Sequence, residues 1–130
     1  MYLPVRLKGL VAPAATAATE IVLFDRDDRL VGRLRFRVCP SCRTGRILDI
    51  WVGDGRRRQG LGHRLARTLL ARHPGHRWST TPQTREGRAF FRGVTEETGV
   101  PLPHDGPLCP HLMGVLRRGW RSVREHGSHR

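Results

Sequence analysis

The sequence predicts a mixed α+β fold, with helices packed on a single sheet, from three observations. Apolar and charged residues alternate with a period of two across 30–38, which is the pattern of a half-buried strand. Apolar residues recur at helical spacing across 60–73 and again across 86–98. A short strand-like run at 78–81 lies between these two segments, so strand and helix follow each other along the chain.

The first elements are strands. A strand-like apolar run at 20–24 leads into an aspartate-rich turn, and the alternating run follows that turn. Two such runs around a polar turn predict a hairpin, with Leu34, Phe36 and Val38 on its inner face. Residues 46–52 are almost continuously apolar, which is typical of a central strand covered on both faces.

Two helices complete the core. Leu61, Leu65 and Leu69 form one apolar stripe on the first helix. The second helix is predicted to end at Gly99. We expect its inward residues to be Ala89, Phe90 and Val94. Because a single helix joins the central strand to the short strand, these two strands are expected to be parallel.

Length and charge limit the class of protein. The 130 residues are expected to form one domain, 1–130, with a core at 20–98 and a loop and basic helix at 99–130. The net charge is +13 and Lys8 is the only lysine, so arginine supplies the charge and would attract a phosphate-bearing ligand or nucleic acid.

No run approaches the roughly 20 apolar residues of a membrane span. We therefore expect a cytoplasmic protein with no membrane partner.

The junction between the central strand and the first helix has the features of a phosphate-binding loop. The first turn of a helix presents free N–H groups and the positive end of the helix dipole. Gly60 and Gly62 would leave these groups open to a pyrophosphate. Arg56, Arg57 and Arg58 add charge and bidentate donors. The alternative is a tight turn with solvated arginines.

This loop resembles the signature Arg/Gln-x-x-Gly-x-Gly/Ala of the GCN5-related N-acetyltransferase superfamily, in the form Arg57-x-x-Gly60-x-Gly62. The resemblance covers 20–98 and implies direct transfer of an acetyl group from acetyl-CoA to an amine acceptor. It also implies that the central strand and the short strand splay apart to admit the thioester. The implied cofactor-binding residues are Ile50, Trp51 and Val52 for the pantetheine arm, and Arg57, Arg58, Gln59, Gly60, Leu61, Gly62 and His63 around the pyrophosphate.

Two features depart from the family pattern. Members usually carry a tyrosine on the last helix as general acid, but Phe91 stands there and Tyr2 is the only tyrosine. Asp49 is the only carboxylate on the central strand and is the candidate catalytic base. In the alternative, Leu48 faces the substrate and Asp49 pairs with an arginine. The family's substrate-binding helices are replaced by 11–19, which predicts an acceptor site that is open or completed by another chain.

The three cysteines form a second constellation. Cys39 and Cys42 lie in a Cys-x-x-Cys turn, and Cys109 and His111 supply two further ligands of the types that zinc prefers. The second helix is expected to return the chain to the end of the sheet where this turn lies. The sequence therefore predicts a structural zinc site with no open position. A Cys39–Cys42 disulfide and three unrelated thiols are the alternatives, and His104 is an alternative ligand.

Two other functions remain as alternatives. One is a small zinc-stabilised nucleic-acid-binding module, in which the arginines contact backbone phosphates. The aromatic residues do not interleave with the arginines as a single-strand stacking surface requires, which argues against it. The other is a catalytically inactive protein that binds acyl-CoA, which the missing tyrosine favours. The expected partners are acetyl-CoA and an amine acceptor, with the chain acting as a monomer or homodimer.

Overall fold

The fold is a five-stranded mixed sheet with two helices, and a computed structural model describes it for residues 6–106 and 108–112, except 10–17. The strands lie side by side in chain order; neighbours are antiparallel through the fourth strand, and the fourth and fifth are parallel. The elements are β1 (Arg6–Gly9), β2 (Thr19–Phe24), β3 (Leu30–Cys39), β4 (Thr44–Val52), a 3-10 helix (Asp54–Gln59), α1 (Leu61–Arg72), β5 (Arg77–Thr80) and α2 (Arg85–Thr98).

This architecture confirms the mixed α+β class, the β2–β3 hairpin and the parallel β4–β5 pair. The predicted loop at 53–59 is instead mostly a 3-10 helix. None of the helices in the described part of the chain is long and apolar enough to cross a membrane.

One hydrophobic core lies between the sheet and the two helices. The stripe predicted on α1 is buried, as are Leu34 and Phe36 of β3, while Val38 is half-buried at the edge. The buried members of this core are Ile21, Leu23, Val31, Leu34, Phe36, Ile47, Leu61, Leu65, Ala66, Leu69, Trp78, Phe91, Val94 and Leu102.

The inward face of α2 differs from the prediction. Phe91 and Val94 are its buried residues, Phe90 is half-buried against α1, and Ala89 is exposed. The prediction for Ala89 was therefore wrong. The helix turns Phe91 and Val94, three residues apart, toward the sheet, and this leaves Ala89 on the solvent side.

β4 carries a β-bulge at Leu48. Arg35 pairs with Asp49 and Phe36 pairs with Ile47, so Leu48 is the extra residue on its strand. A bulge inserts one residue and reverses which face each later side chain occupies. Ile47 and Ile50 consequently both pack on the core. The prediction that both faces of this strand are covered is wrong beyond the bulge, where Trp51 is 40% exposed.

The segment after α2 runs beside β5. Thr80 forms a parallel bridge with His104, its N–H donates to the Pro103 carbonyl at 2.9 Å, and its own carbonyl accepts from Asp105 N–H at 2.9 Å. This contact adds a short fifth pairing, at the edge of the sheet and within the predicted loop. The predicted basic helix at 111–126 lies, beyond Leu112, outside the described residues, as do the side chains of β1.

Candidate cofactor cleft and cysteine cluster

β4 and β5 separate at the bulge. Their pairing ends at Ile47 and Thr80, whereas β4 continues to Val52. Thr81 sits at the fork, where its N–H donates to the Ile47 carbonyl at 3.0 Å and its hydroxyl donates to the Leu48 carbonyl at 2.8 Å. Within the described part of the chain, no strand pairs with the outer edge of 48–52. The backbone of Ile50, Trp51 and Val52 thus borders the gap between the two diverging strands, which is called the cleft below.

The phosphate loop closes the far end of this cleft. Gly60 follows the 3-10 helix and has a left-handed φ of 71°, and α1 begins at the next residue. Gly60 is suited to this turn because it has no Cβ to oppose that conformation. A side chain there would meet nothing within 4 Å, so the surface beside it is open. The first N–H groups of α1, from Leu61 to His63, have no acceptor within the helix and carry its positive dipole end.

Gly62 has a packing role that the sequence pattern did not reveal. A Cβ at this position would lie 2.9 Å from Cε1 of Phe90 and 3.7 Å from Cγ2 of Val52. The missing side chain therefore lets α2 pack closely against the start of α1. Gly60 lies in the open loop and Gly62 lies at a helix contact, although the motif contains both.

Arg56 is tied to the β2–β3 turn rather than turned toward the cleft. Its Nη2 lies 3.1 Å from Oδ2 of Asp25, and only 9% of the Asp25 side chain is exposed. The N–H groups of Arg29 and Asp27 also donate to Asp25 Oδ1, at 3.0 and 2.8 Å. The Arg29 N–H lowers the pKa of Asp25 most; the Asp27 N–H and Arg56 also lower it, while burial acts in the opposite direction. This network holds the 3-10 helix against the sheet.

The remaining residues of the motif differ in orientation. Leu61 is buried in the core and Gln59 is exposed, while the side chains of Arg57 and Arg58 lie outside the described residues. His63 turns toward α2, with Nδ1 2.7 Å from Oε2 of Glu97. Leu61 can therefore contact a pyrophosphate only through its backbone N–H group, and one nitrogen of the His63 ring is already paired with Glu97.

Asp49 lies on the sheet face opposite the helices. Its Oδ2 is 3.5 Å from Nη1 of Arg35, and Nε of the same arginine is 3.5 Å from Oε1 of Glu20. Arg33 extends the row at 3.9 Å from Glu20. The Asp49 side chain is 44% exposed, so it is paired with an arginine and still accessible from solvent. Its register places it one residue after the bulge, where the cleft begins.

Phe91, which stands where the resemblance places a tyrosine, is buried in the core and only 7% exposed. A phenyl ring offers no proton, so this position supplies no general acid. The proton donor for the leaving thiolate that the resemblance implies is therefore not found at this position of α2.

The cysteine turn and the segment after α2 meet at the other end of β4. The Nδ1 of His111 lies 3.4 Å from the Sγ of Cys39 and 3.4 Å from the Sγ of Cys42. With Cys109 included, the four ligand atoms all lie within 4.8 Å of one another, and the thiols are not joined by a disulfide. This grouping could hold a metal ion.

The thiols of this cluster differ in acidity. Burial raises the pKa of Cys42 to about 11, together with hydrogen bonds to Cys39 and Cys109. Burial also raises the pKa of Cys109, but the neighbouring Thr44 hydroxyl, the Leu112 backbone and the other two thiols outweigh it and lower the value to about 6.

Comparison with known proteins gives a match to one family. Residues 9–93 match the family model described as the acetyltransferase (GNAT) family. No curated protein matches the chain. Among solved structures, a putative acetyltransferase from Deinococcus radiodurans R1 is 16% identical, with a TM-score of 0.56 over 71% of this chain and 61% of that protein. The chain therefore spans less than two thirds of that relative.

Two further structures have the same fold. A ribosomal-protein-alanine N-acetyltransferase from Brucella melitensis biovar Abortus 2308 is 20% identical, with a TM-score of 0.52 over 72% of each chain. A GNAT family protein from Streptococcus pneumoniae TIGR4 is 18% identical, with a TM-score of 0.52 over 73% of this chain and 71% of that one. At these identities the similarity shows the fold alone.

Proposed function

Because the chain belongs to the GNAT acetyltransferase family, we propose that it transfers an acetyl group from acetyl-CoA directly to an amine acceptor. The observation that carries this proposal is the cleft between β4 and β5, which opens at Thr81 and ends at the positively polarised start of α1. A long ligand with an anionic end fits such a site better than a compact one.

Each part of the cleft has a distinct task in the proposal. The N–H groups at the start of α1 bind the pyrophosphate of the cofactor, and Arg57 and Arg58 add positive charge. The outer edge of β4, at Ile50, Trp51 and Val52, hydrogen-bonds the pantetheine arm as an additional strand would. Acetyl-CoA, when bound, supplies an activated acyl group.

Asp49 accepts the proton of the acceptor amine in this proposal. Its carboxylate is accessible, lies one residue beyond the bulge at the mouth of the cleft, and is oriented by Arg35. A general base must lie within hydrogen-bond reach of the proton it removes, and the open sheet face gives an acceptor access to Asp49. With Phe91 in the core, we expect solvent to protonate the departing thiolate.

The test is calorimetric titration of the protein with acetyl-CoA and with CoA, comparing Gly60→Glu with Gly75→Glu. Both glycines have left-handed φ, 71° and 76°, and neither has an atom within 4 Å of its missing Cβ. The two variants therefore share the same backbone strain and added charge, and only the first lies at the phosphate loop. Loss of acetyl-CoA binding in Gly60→Glu with retention in Gly75→Glu supports the proposal.

Either of two results would contradict it. One is wild-type protein, folded by circular dichroism, that gives no binding heat at several temperatures. The other is equal binding loss in both glycine variants. If acetyl-CoA binds but a panel of amines, including peptide N-termini, polyamines and lysine peptides, releases no CoA above the rate without amine, the chain is an acyl-CoA-binding protein without transferase activity.

A further inference from the structure

All three cysteines of the chain and one histidine converge at a point that the acetyltransferase proposal does not use. Cys39 ends β3, Cys42 lies in the turn before β4, and Cys109 and His111 come from the segment after α2. The two pairs are far apart in the sequence, since Cys39 and His111 are separated by 72 positions. Three thiols and an imidazole from two distant segments thus lie together, and this grouping is typical of a metal site.

We propose that Cys39, Cys42, Cys109 and His111 bind one Zn²⁺ ion in a tetrahedral structural site. Zinc binds sulfur at about 2.3 Å and imidazole nitrogen at about 2.0–2.1 Å, so in a tetrahedron the sulfur and nitrogen lie roughly 3.5 Å apart. The two Sγ–Nδ1 distances of 3.4 Å match that spacing. Three thiolates and an imidazole also select zinc over hard cations such as Mg²⁺ and Ca²⁺.

The backbone of the turn that carries Cys42 has a defined geometry. Arg43, directly after Cys42, has a left-handed φ of 53°, which is uncommon for a residue other than glycine. Such a conformation persists only where its surroundings enforce it. It reverses the chain immediately after the second thiol and leads into β4, and the Arg43 carbonyl is held by the N–H of Arg77 at 2.8 Å. The turn is therefore fixed so that both thiols remain on one side.

The site is structural because it is closed and remote from the cleft. Four protein ligands leave no position for a substrate or a reactive water. Cys39, Cys109 and the neighbouring Leu112 are buried together in a small separate cluster. Thr44 and Val52 mark the two ends of β4, and eight residue steps of about 3.3 Å place the cysteines roughly 26 Å from the phosphate loop. The ion would join the segment after α2 to the β3–β4 turn.

The first experiment measures metal in protein purified without chelator, by inductively coupled plasma mass spectrometry, for wild type, His111→Ala and His104→Ala. His104 is the matched control, because it is an exposed histidine of the same segment, lies beside Asp105 and is outside the cluster. We expect about one zinc per chain in wild type and in His104→Ala, and a loss of most of the metal in His111→Ala.

A second measurement does not depend on how the variants fold. Wild-type protein stripped of metal is titrated with Co²⁺, and the visible spectrum is recorded before and after Zn²⁺ is added. Tetrahedral thiolate coordination predicts intense visible bands and a sulfur-to-cobalt charge-transfer band, both abolished by about one equivalent of Zn²⁺. Chelation of the metal should also lower the melting temperature of the wild type.

Three outcomes would overturn the proposal. The first is metal-free protein that shows no cobalt bands and whose melting temperature is unaffected by Zn²⁺. The second is an intact mass lower by two hydrogens, with a Cys39–Cys42 disulfide in the peptide map of freshly purified protein. The third is a zinc content in His111→Ala equal to that of the wild type, which would show that the ion is bound without His111.

Discussion

The guanidinium of Arg56 lies 3.1 Å from the carboxylate of Asp25, and this pair joins the helix that precedes the phosphate loop to the turn between β2 and β3. One end of the cleft is thereby positioned by a hairpin that is distant from it in the sequence. The contact also removes Arg56 from the set of arginines free to meet a ligand.

Asp25→Asn is expected to weaken acetyl-CoA binding, on the order of tenfold, because it removes the charged partner that holds the 3-10 helix. Asp27→Asn is the matched control, since it removes an exposed carboxylate from the same turn. Calorimetric titration of both variants measures the effect. Equal affinity in the two variants would show that the pair does not position the loop.

The hydrogen bonds and ion pair of Asp25 predict that the stability of the fold depends on pH. The pKa of Asp25 is lowered in the folded state, chiefly by the N–H of Arg29. A carboxylate with a lowered pKa stabilises the fold above its unfolded pKa of about 3.9, and this contribution is lost as the pH falls through the folded value. Urea unfolding at pH 7 and pH 3 should therefore show a smaller acid-induced loss of stability in Asp25→Asn than in wild type. An identical loss would contradict the prediction.

Gly62→Ala is expected to destabilise the fold by about 1–3 kcal/mol, because its Cβ would overlap the Phe90 ring. Gly55→Ala, where a Cβ would meet nothing within 4 Å, should change stability by no more than about 0.5 kcal/mol. The double variant Gly62→Ala/Phe90→Ala should recover part of the loss in a double-mutant cycle. Strict additivity in urea unfolding would show that the two residues do not interact.

Asp49→Asn should lower kcat by about 100-fold or more if this carboxylate accepts the proton of the amine, with acetyl-CoA affinity unchanged. Glu20→Gln is the matched control, because Glu20 is the other carboxylate bound to Arg35. Initial rates with the best acceptor amine measure both variants. If the two lose the same small fraction of activity, Asp49 acts only as an ion-pair partner on the sheet.

Thr81→Val should open the fork between β4 and β5, because it removes the hydroxyl that donates to the Leu48 carbonyl. We expect a loss of about 1–3 kcal/mol in unfolding free energy and weaker acetyl-CoA binding. Thr68→Val removes a similar bond to the Arg64 carbonyl within α1 and should have little effect, since that carbonyl also lies in a helical hydrogen-bond ladder. Equal effects of the two substitutions would argue against a special role for Thr81.

The regular elements were predictable because periodicity reports burial directly. Alternation located β3, helical spacing located α1, and the single connecting helix required β4 and β5 to be parallel. The meeting of Cys39 with Cys109 also followed from topology, because α2 must carry the chain back to the end of the sheet where β4 begins.

Other features depend on contacts that no local pattern encodes. The bulge at Leu48 is marked by neither glycine nor proline, so the uninterrupted apolar run concealed it. The motif indicated that Gly62 needs to be small, but its contact with Phe90 depends on how two helices pack. Arg56 could not be distinguished from its two arginine neighbours, because its partner Asp25 lies across the sheet.

The bulge at Leu48 determines which face of the sheet each later side chain of β4 occupies. Every side chain after it is assigned to a face by counting from that extra residue, and not by its own chemistry. In a regular strand of the same residues, without the bulge, Asp49 and Trp51 would face the core and Ile50 would face water. The outward position of the candidate base therefore depends on a backbone irregularity that lies one residue before it.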